Sequence, residues 1–193
     1  VYSFFLESTF LGLLLAGEAV ASFGTTVAVD GDTLVVGVPS ERMFDPGTMG
    51  AAYVYQRAGG LWSLAQRLVA PATSFDARFG AAVAIDGDTI VVGEPAAAML
   101  NFSGANPAQG NAWVFVRQGN QWNIQGWLFS GGGEALDFFG ASVAVDGDAV
   151  AIGIPGARRG DDSQQGAVEV FGRSGSTWDV QARLVPAEIS PWQ

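Results

Sequence analysis

Nineteen acidic residues, nine arginines and no histidine, cysteine or lysine bound the chemistry open to this 193-residue chain. Imidazole bases, Schiff-base amines, thiolate nucleophiles and His or Cys metal sites are absent by composition. Carboxylate, Arg, Tyr and Ser chemistry remains. The most conspicuous acidic pairs are Asp30-Gly31-Asp32, Asp86-Gly87-Asp88 and Asp146-Gly147-Asp148. Two carboxylates can serve as the acid and base of a glycosidase, but a catalytic pair should be singular and this one occurs three times. Calcium asks for six to eight oxygens, which two aspartates on a two-residue turn do not supply. The triplets therefore read as turn chemistry, with the second Asp expected to bond nearby backbone. No enzyme activity and no cofactor are expected.

The singular features lie between the repeats. Residues 40–50 offer Glu41 and Asp45; residues 96–110 offer the apolar Leu100 and Phe102; residues 156–166 offer Arg158, Arg159, Asp161 and Asp162. Asp161 and Asp162 are the candidate cation ligands, against a solvated turn; the others are candidate interaction-loop residues. The Arg-Gly-Asp at 159–161 matches an integrin-binding tripeptide, which three residues in a loop do little to establish. Glu94 is the lone charge inside a strand-end Gly-x-Pro triplet and is expected to reach solvent or a central channel. Trp62, Trp122 and Trp178 recur in register and read as packing between repeats.

The net charge of −10 leaves no basic face to follow phosphates, so nucleic acid and anionic lipid are poor partners. With no cysteine there are no disulfides. Residues 1–21 are apolar and end in Ala-Val-Ala, as at a signal-peptide cleavage site, yet lack a basic start. Glu7 and Glu18 leave an uncharged run too short to span a membrane. The segment is either a signal or anchor remnant or a strand of the repeat, because "GEAVASFG" at 17–24 aligns with "GEALDFFG" at 133–140.

These residues are positioned by a repeat. "FGTTVAVDGDTLVVGVP" at 23–39 returns at 79–95 and at 139–155, and Arg-x-Gly-x-x-Trp follows at 57–62, 117–122 and 173–178. All length variation falls between the Gly-x-Pro and the Arg, as on a scaffold with one variable face. β-Branched runs on either side of Asp-Gly predict a hairpin with a type I′ turn, and "AAYVYQR" with "WSLAQRLVA" predicts a second hairpin. Four antiparallel strands per unit, repeated, describe the blades of a β-propeller. The all-β reading divides the chain into residues 1–22, the second half of a preceding blade or an apolar N-terminal segment, and blades at 23–78, 79–138 and 139–193. About three and a half blades are expected.

Phe-Gly, an apolar strand pair, Gly-x-Pro and a following aromatic strand resemble the FG-GAP repeat, the blade unit of integrin α-chain propellers and of many bacterial surface and secreted proteins. The resemblance implies a propeller, usually of seven blades, at the cell surface or outside the cell. It departs at the calcium-binding hairpin of that family, which is long where the loops here are tight turns. The implied function is a non-catalytic structural or protein-interaction module for adhesion or assembly. The alternatives are a glycan-binding or carbohydrate-active propeller using loop carboxylates, and a peripheral subunit of an envelope, filament or membrane assembly. Expected partners are another protein, other copies, the rest of a longer propeller chain, or a glycan. An open arc of blades would expose apolar faces at both ends, so something is expected to close it.

Overall fold

The β-branched runs pair as their period requires. A computed structural model of the chain describes residues 22–42, 49–71, 76–101, 104–158 and 165–186, and its strands form three four-stranded antiparallel sheets. The first joins β1 (Thr26–Asp30), β2 (Thr33–Arg42), β3 (Met49–Ala58) and β4 (Leu61–Leu68) in chain order. The second joins β5 (Ala82–Asp86), β6 (Thr89–Glu94), β9 (Asn111–Gln118) and β10 (Gln121–Leu128). The third joins β11 (Ser142–Asp146), β12 (Ala149–Ile154), β13 (Ala167–Ser174) and β14 (Thr177–Leu184). Between β6 and β9 the long connection forms a two-stranded hairpin of its own, β7 (Met99–Asn101) and β8 (Gly104–Asn106), where the sequence suggested only loop. Among the described residues there is no helix long and apolar enough to cross a membrane. The half-blade expected over 1–22 lies, except for its last residue, outside the described residues.

Each first hairpin turns as tightly as expected but with different geometry. Asp30 pairs with Thr33, so Gly31 and Asp32 are the central residues, and only Gly31 is left-handed, at φ 53°. That is the φ pattern of a type II′ turn rather than type I′. The strand extends one residue further than the Asp-Gly reading allows, which moves glycine to the first central position. Gly87 and Gly147 repeat the arrangement at φ 52° and 54°. Each outer strand pair carries one bulge at the same place, leaving Ala65, Gln125 and Gln181 as the extra residues.

The sheets stack as wedges. The first strands β1, β5 and β11 lie against one another, while the fourth strands β4, β10 and β14 approach only sparsely. Two apolar cores fill the gaps. Val35, Ala52, Val54 and Leu68 of the first sheet meet Phe79, Ile90, Val92, Phe115 and Trp122 of the second. Val91, Ala112, Val114 and Leu128 of the second meet Phe139, Val150, Ile152 and Phe171 of the third. Phe79 and Phe139 are fully buried and meet Phe115 and Phe171 edge to face, with centroids 6.1 and 6.0 Å apart.

Backbone contact seals each junction. Gly50 bridges Phe79 in parallel fashion, and Gly110 bridges Phe139. Phe138 N–H donates across the second junction to Ala108 O at 3.0 Å and Phe139 N–H to Gln109 O at 2.8 Å, while Gly80 and Gly140 tie each Phe-Gly segment to its own sheet through Gly93 O and Gly153 O. A Cβ on Gly37 would stand 2.1 Å from Gly80 O, and one on Gly93 2.0 Å from Gly140 O. These glycines face fixed carbonyls, so no side chain fits. Gly93→Ala is expected to cost about 2–3 kcal/mol in urea denaturation, the range of forced overpacking. Gly131→Ala, at a site with nothing within 4 Å, is expected to be close to neutral.

Candidate functional site

Antiparallel order gives each blade two unlike ends. The β1–β2 and β3–β4 hairpin turns, and their counterparts in the other sheets, share one end. The connections from second to third strand, and from one blade to the next, share the other.

The turn end is closed by a repeated three-residue lock. Arg57 Nε donates to Asp32 Oδ1 at 2.7 Å, Arg117 to Asp88 at 2.6 Å and Arg173 to Asp148 at 2.6 Å. Each guanidinium also lies over the tryptophan of its own signature, 5.3 Å from Trp62, 5.5 Å from Trp122 and 5.2 Å from Trp178. The second Asp of each turn therefore binds a side chain on the third strand, not nearby backbone as expected. Sequence separation hid the pair, because Arg and Asp are brought level only by the register of the second and third strands. The carboxylates are largely solvent-exposed, so each pair contributes no more than about 1 kcal/mol.

The first Asp of the first two triplets bonds backbone, but that of the next blade. Gly87 N–H donates to Asp30 Oδ2 at 2.8 Å and Gly147 N–H to Asp86 Oδ2 at 2.7 Å. The turns are thus linked in series. At the blade waists, Gln66 exchanges two hydrogen bonds with the backbone of Trp122, and the Trp178 indole donates to Gln125 at the bulge.

The variable end carries the candidate loop residues. Arg158 is exposed in the connection after β12. Glu41 is buried instead of displayed: its Oε1 accepts from Arg67 Nη2 at 2.8 Å, and it raises the pKa of the neighbouring Tyr53, pushed up to about 12 chiefly by burial. Leu100 lies on β7, with its side chain outside the described residues, as are Asp45, Phe102, Arg159, Asp161 and Asp162. Among the described residues no three acidic side chains converge to hold a metal ion.

At this end the sequence reading misjudged the surroundings of Glu94 and missed an aromatic cluster. Glu94 is fully buried rather than solvent-facing; its Oε2 accepts from the Trp113 indole N–H at 2.9 Å. Burial pushes its carboxyl up to about 7, opposed in part by Trp113 and Asn111. Glu94 Oε1 and Asn111 Oδ1 are both buried acceptors without a partner, and a proton on Glu94 turns an acceptor into a donor. Trp113 also stacks on Trp127 at 5.9 Å, and Trp127 meets Phe129 at 4.7 Å. Trp127 and Phe129 are exposed, making an aromatic surface peculiar to the second blade. At the equivalent of Trp127 the other blades carry Arg67 and Arg183, paired with buried Glu41 and Glu169. Departure from the repeat at an aligned position was the signal that could have revealed it.

Wedge-stacked, four-stranded meanders joined by Phe-Gly segments define a protein of β-propeller blades. The FG-GAP repeat family matches residues 16–55, 62–115 and 122–171, most of the chain, and the chain belongs to that family. The second and third matches each run from the fourth strand of one sheet to the third strand of the next, so the family unit spans the junction between blades. A comparison with curated proteins finds no match.

The ionisation of Glu94 carries a measurable sign. Its folded pKa of about 7 lies above the usual 4.5, so the stability linked to its proton is fully present below about pH 4.5 and is lost as pH rises through about 7. Relative to Glu94→Gln, the wild-type unfolding free energy is expected to fall by roughly 3 kcal/mol across that window and stay level above it, as read by denaturation at stepped pH.

Proposed function

We propose that this chain is a non-catalytic, secreted or cell-surface propeller module that presents variable connections at one end of its blades to a protein partner. The carrying observation is the confinement of variation. The sheets and turns repeat in length and register, while the connection between second and third strands changes in length and in the second blade grows the β7–β8 hairpin. Such a division suits display, because the scaffold holds a loop whose sequence is free to change. The acidic pairs of the turns are engaged in Arg and backbone contacts, which suits structural use better than catalysis. Membership of the FG-GAP family supports an extracellular setting.

The test is binding of the labelled chain to intact cells of the source organism by flow cytometry. Replacing residues 99–106 with a short Gly-Ser turn is expected to leave the melting temperature nearly unchanged, since Met99 and Asn106 are paired neighbours, and to abolish binding. Protease treatment of the cells should abolish it too. Binding that survives the replacement would overturn the reading.

A second reading, glycan binding, draws on the aromatic surface of Trp127 and Phe129, since exposed aromatic faces suit sugar rings. In that case Trp127→Ala, rather than the hairpin replacement, abolishes binding, and deglycosylation rather than proteolysis of the cells removes the partner. Neither reading needs calcium. Addition of calcium at about 1 mM is expected to leave the melting temperature unchanged; a rise abolished by Asp161→Asn with Asp162→Asn would place a cation in the 156–166 loop.

A further inference from the structure

We propose that the Trp127–Phe129 surface of the second blade takes a basic side chain, arginine or lysine, of a protein partner, which supplies from outside the cation that Arg183 supplies inside the second junction. The proposal rests on the protein-partner reading and adds a contact to it. Its residues are not those of the β7–β8 hairpin, so either can fail alone.

The two internal junctions differ at one set of aligned positions. In the second, Glu169 on β13 accepts from Arg183 Nη1 on β14 at 2.6 Å and from Ser130 Oγ at 2.8 Å, so a guanidinium is part of the junction itself. In the first, Trp113, Trp127 and Ala70 stand at the positions of Glu169, Arg183 and Ser130. Trp113 and Trp127 are cross-strand partners, as Glu169 and Arg183 are, and as Tyr53 and Arg67 are in the first blade. Of the three blades, only the second has no arginine on this strand pair. The second sheet packs against a neighbour on both faces, so the 45% and 40% exposure of Trp127 and Phe129 is not that of a terminal sheet.

The charge around this surface favours a cation. The Trp113 and Trp127 rings lie 5.9 Å apart and within 23° of parallel, and behind them the fully buried Glu94 accepts from the Trp113 indole N–H at 2.9 Å. Its Oε1 has no partner, and among the described residues no arginine pairs with it. A carboxylate in that place enriches the stack in negative potential, and its field passes through apolar rings with less screening than through water. Aromatic faces attract guanidinium and ammonium groups. The molecule uses this attraction three times itself, with Arg57, Arg117 and Arg173 lying 5.2 to 5.5 Å from the rings of Trp62, Trp122 and Trp178. The chain's net charge of −10 adds a long-range field that draws a basic partner and opposes an acidic one.

The test follows the indole N–H signals of the full chain, labelled with heavy nitrogen, as an end-blocked Gly-Arg-Gly-Arg-Gly peptide is added. A second peptide carries citrulline, the neutral side chain of similar shape, in place of arginine. The arginine peptide is expected to move the Trp127 signal, identified by its loss in Trp127→Leu, with an affinity in the millimolar range. Trp127→Leu keeps the net charge and is expected to weaken binding about two- to fivefold, and citrulline to weaken it at least as much. Glu94→Gln is expected to weaken it about threefold near pH 8.5 and to leave it unchanged near pH 5.5, because the carboxyl, pushed up to about 7, is ionised only at the higher value. The groups bearing on that carboxyl are Trp113 and Asn111, and the chain has no histidine, lysine or cysteine to titrate with it. Equal binding by Trp127→Leu would reduce the effect to general attraction toward an acidic chain and overturn the proposal. Equal binding of the citrulline peptide, or affinity indifferent to Glu94→Gln at both pH values, would overturn it too. A Trp127 signal moved by the neutral sugar cellotetraose and not by the arginine peptide would overturn it in favour of a glycan. Should Trp127→Leu fail to fold, Phe129→Ala, read at the Trp127 signal, takes its place.

Discussion

Contact between a glycine carbonyl and a missing side chain is the constraint on which the molecule depends. Gly80 O occupies the space of the absent Gly37 Cβ, and Gly140 O that of the absent Gly93 Cβ. Only this closeness allows the preceding Phe79 and Phe139 to bury completely between two sheets. The ring sets how far the sheets stand apart at the variable end, while first-strand contacts hold them together along the inner edge. Junction and blade are therefore one unit, which explains why the family repeat is out of phase with the sheets.

Charge is used in three distinct ways. On the turns, exposed Asp–Arg pairs contribute little energy but fix the Arg over its Trp. Between turns, Asp30 and Asp86 satisfy backbone donors of the next blade, a contact that tolerates no insertion in the hairpin. At the variable end buried carboxylates are treated differently: Glu41 and Glu169 are matched with arginines, whereas Glu94 accepts from the Trp113 indole and has no arginine partner. The carboxylate without an arginine sits in the blade where Trp127 stands at the position of Arg67 and Arg183 and the surface is aromatic instead of charged.

This contrast separates scaffold from surface. Positions that repeat in register are spent on stacking one blade on the next, and the positions that break register cluster at one end. A ring or array of such units gains its core from its neighbours.

Much was legible in the sequence because it was local or repeated. The strands, hairpins, blade order and insertion point follow from alternation, turn residues and spacing, each acting over a few residues. Three copies of one pattern also expose which aromatics are packing. The turn type depended on a strand end one residue further along, so the II′ geometry was not legible. Tertiary structure alone decided the fate of the charges. Asp32 reached Arg57 across a strand register, Asp86 reached the Gly147 turn of another blade, and Glu94 went inward. Whether a carboxylate meets water, a guanidinium or an indole depends on what the stacking of sheets places around it. That environment is assembled from segments far apart in the chain, which no local pattern encodes.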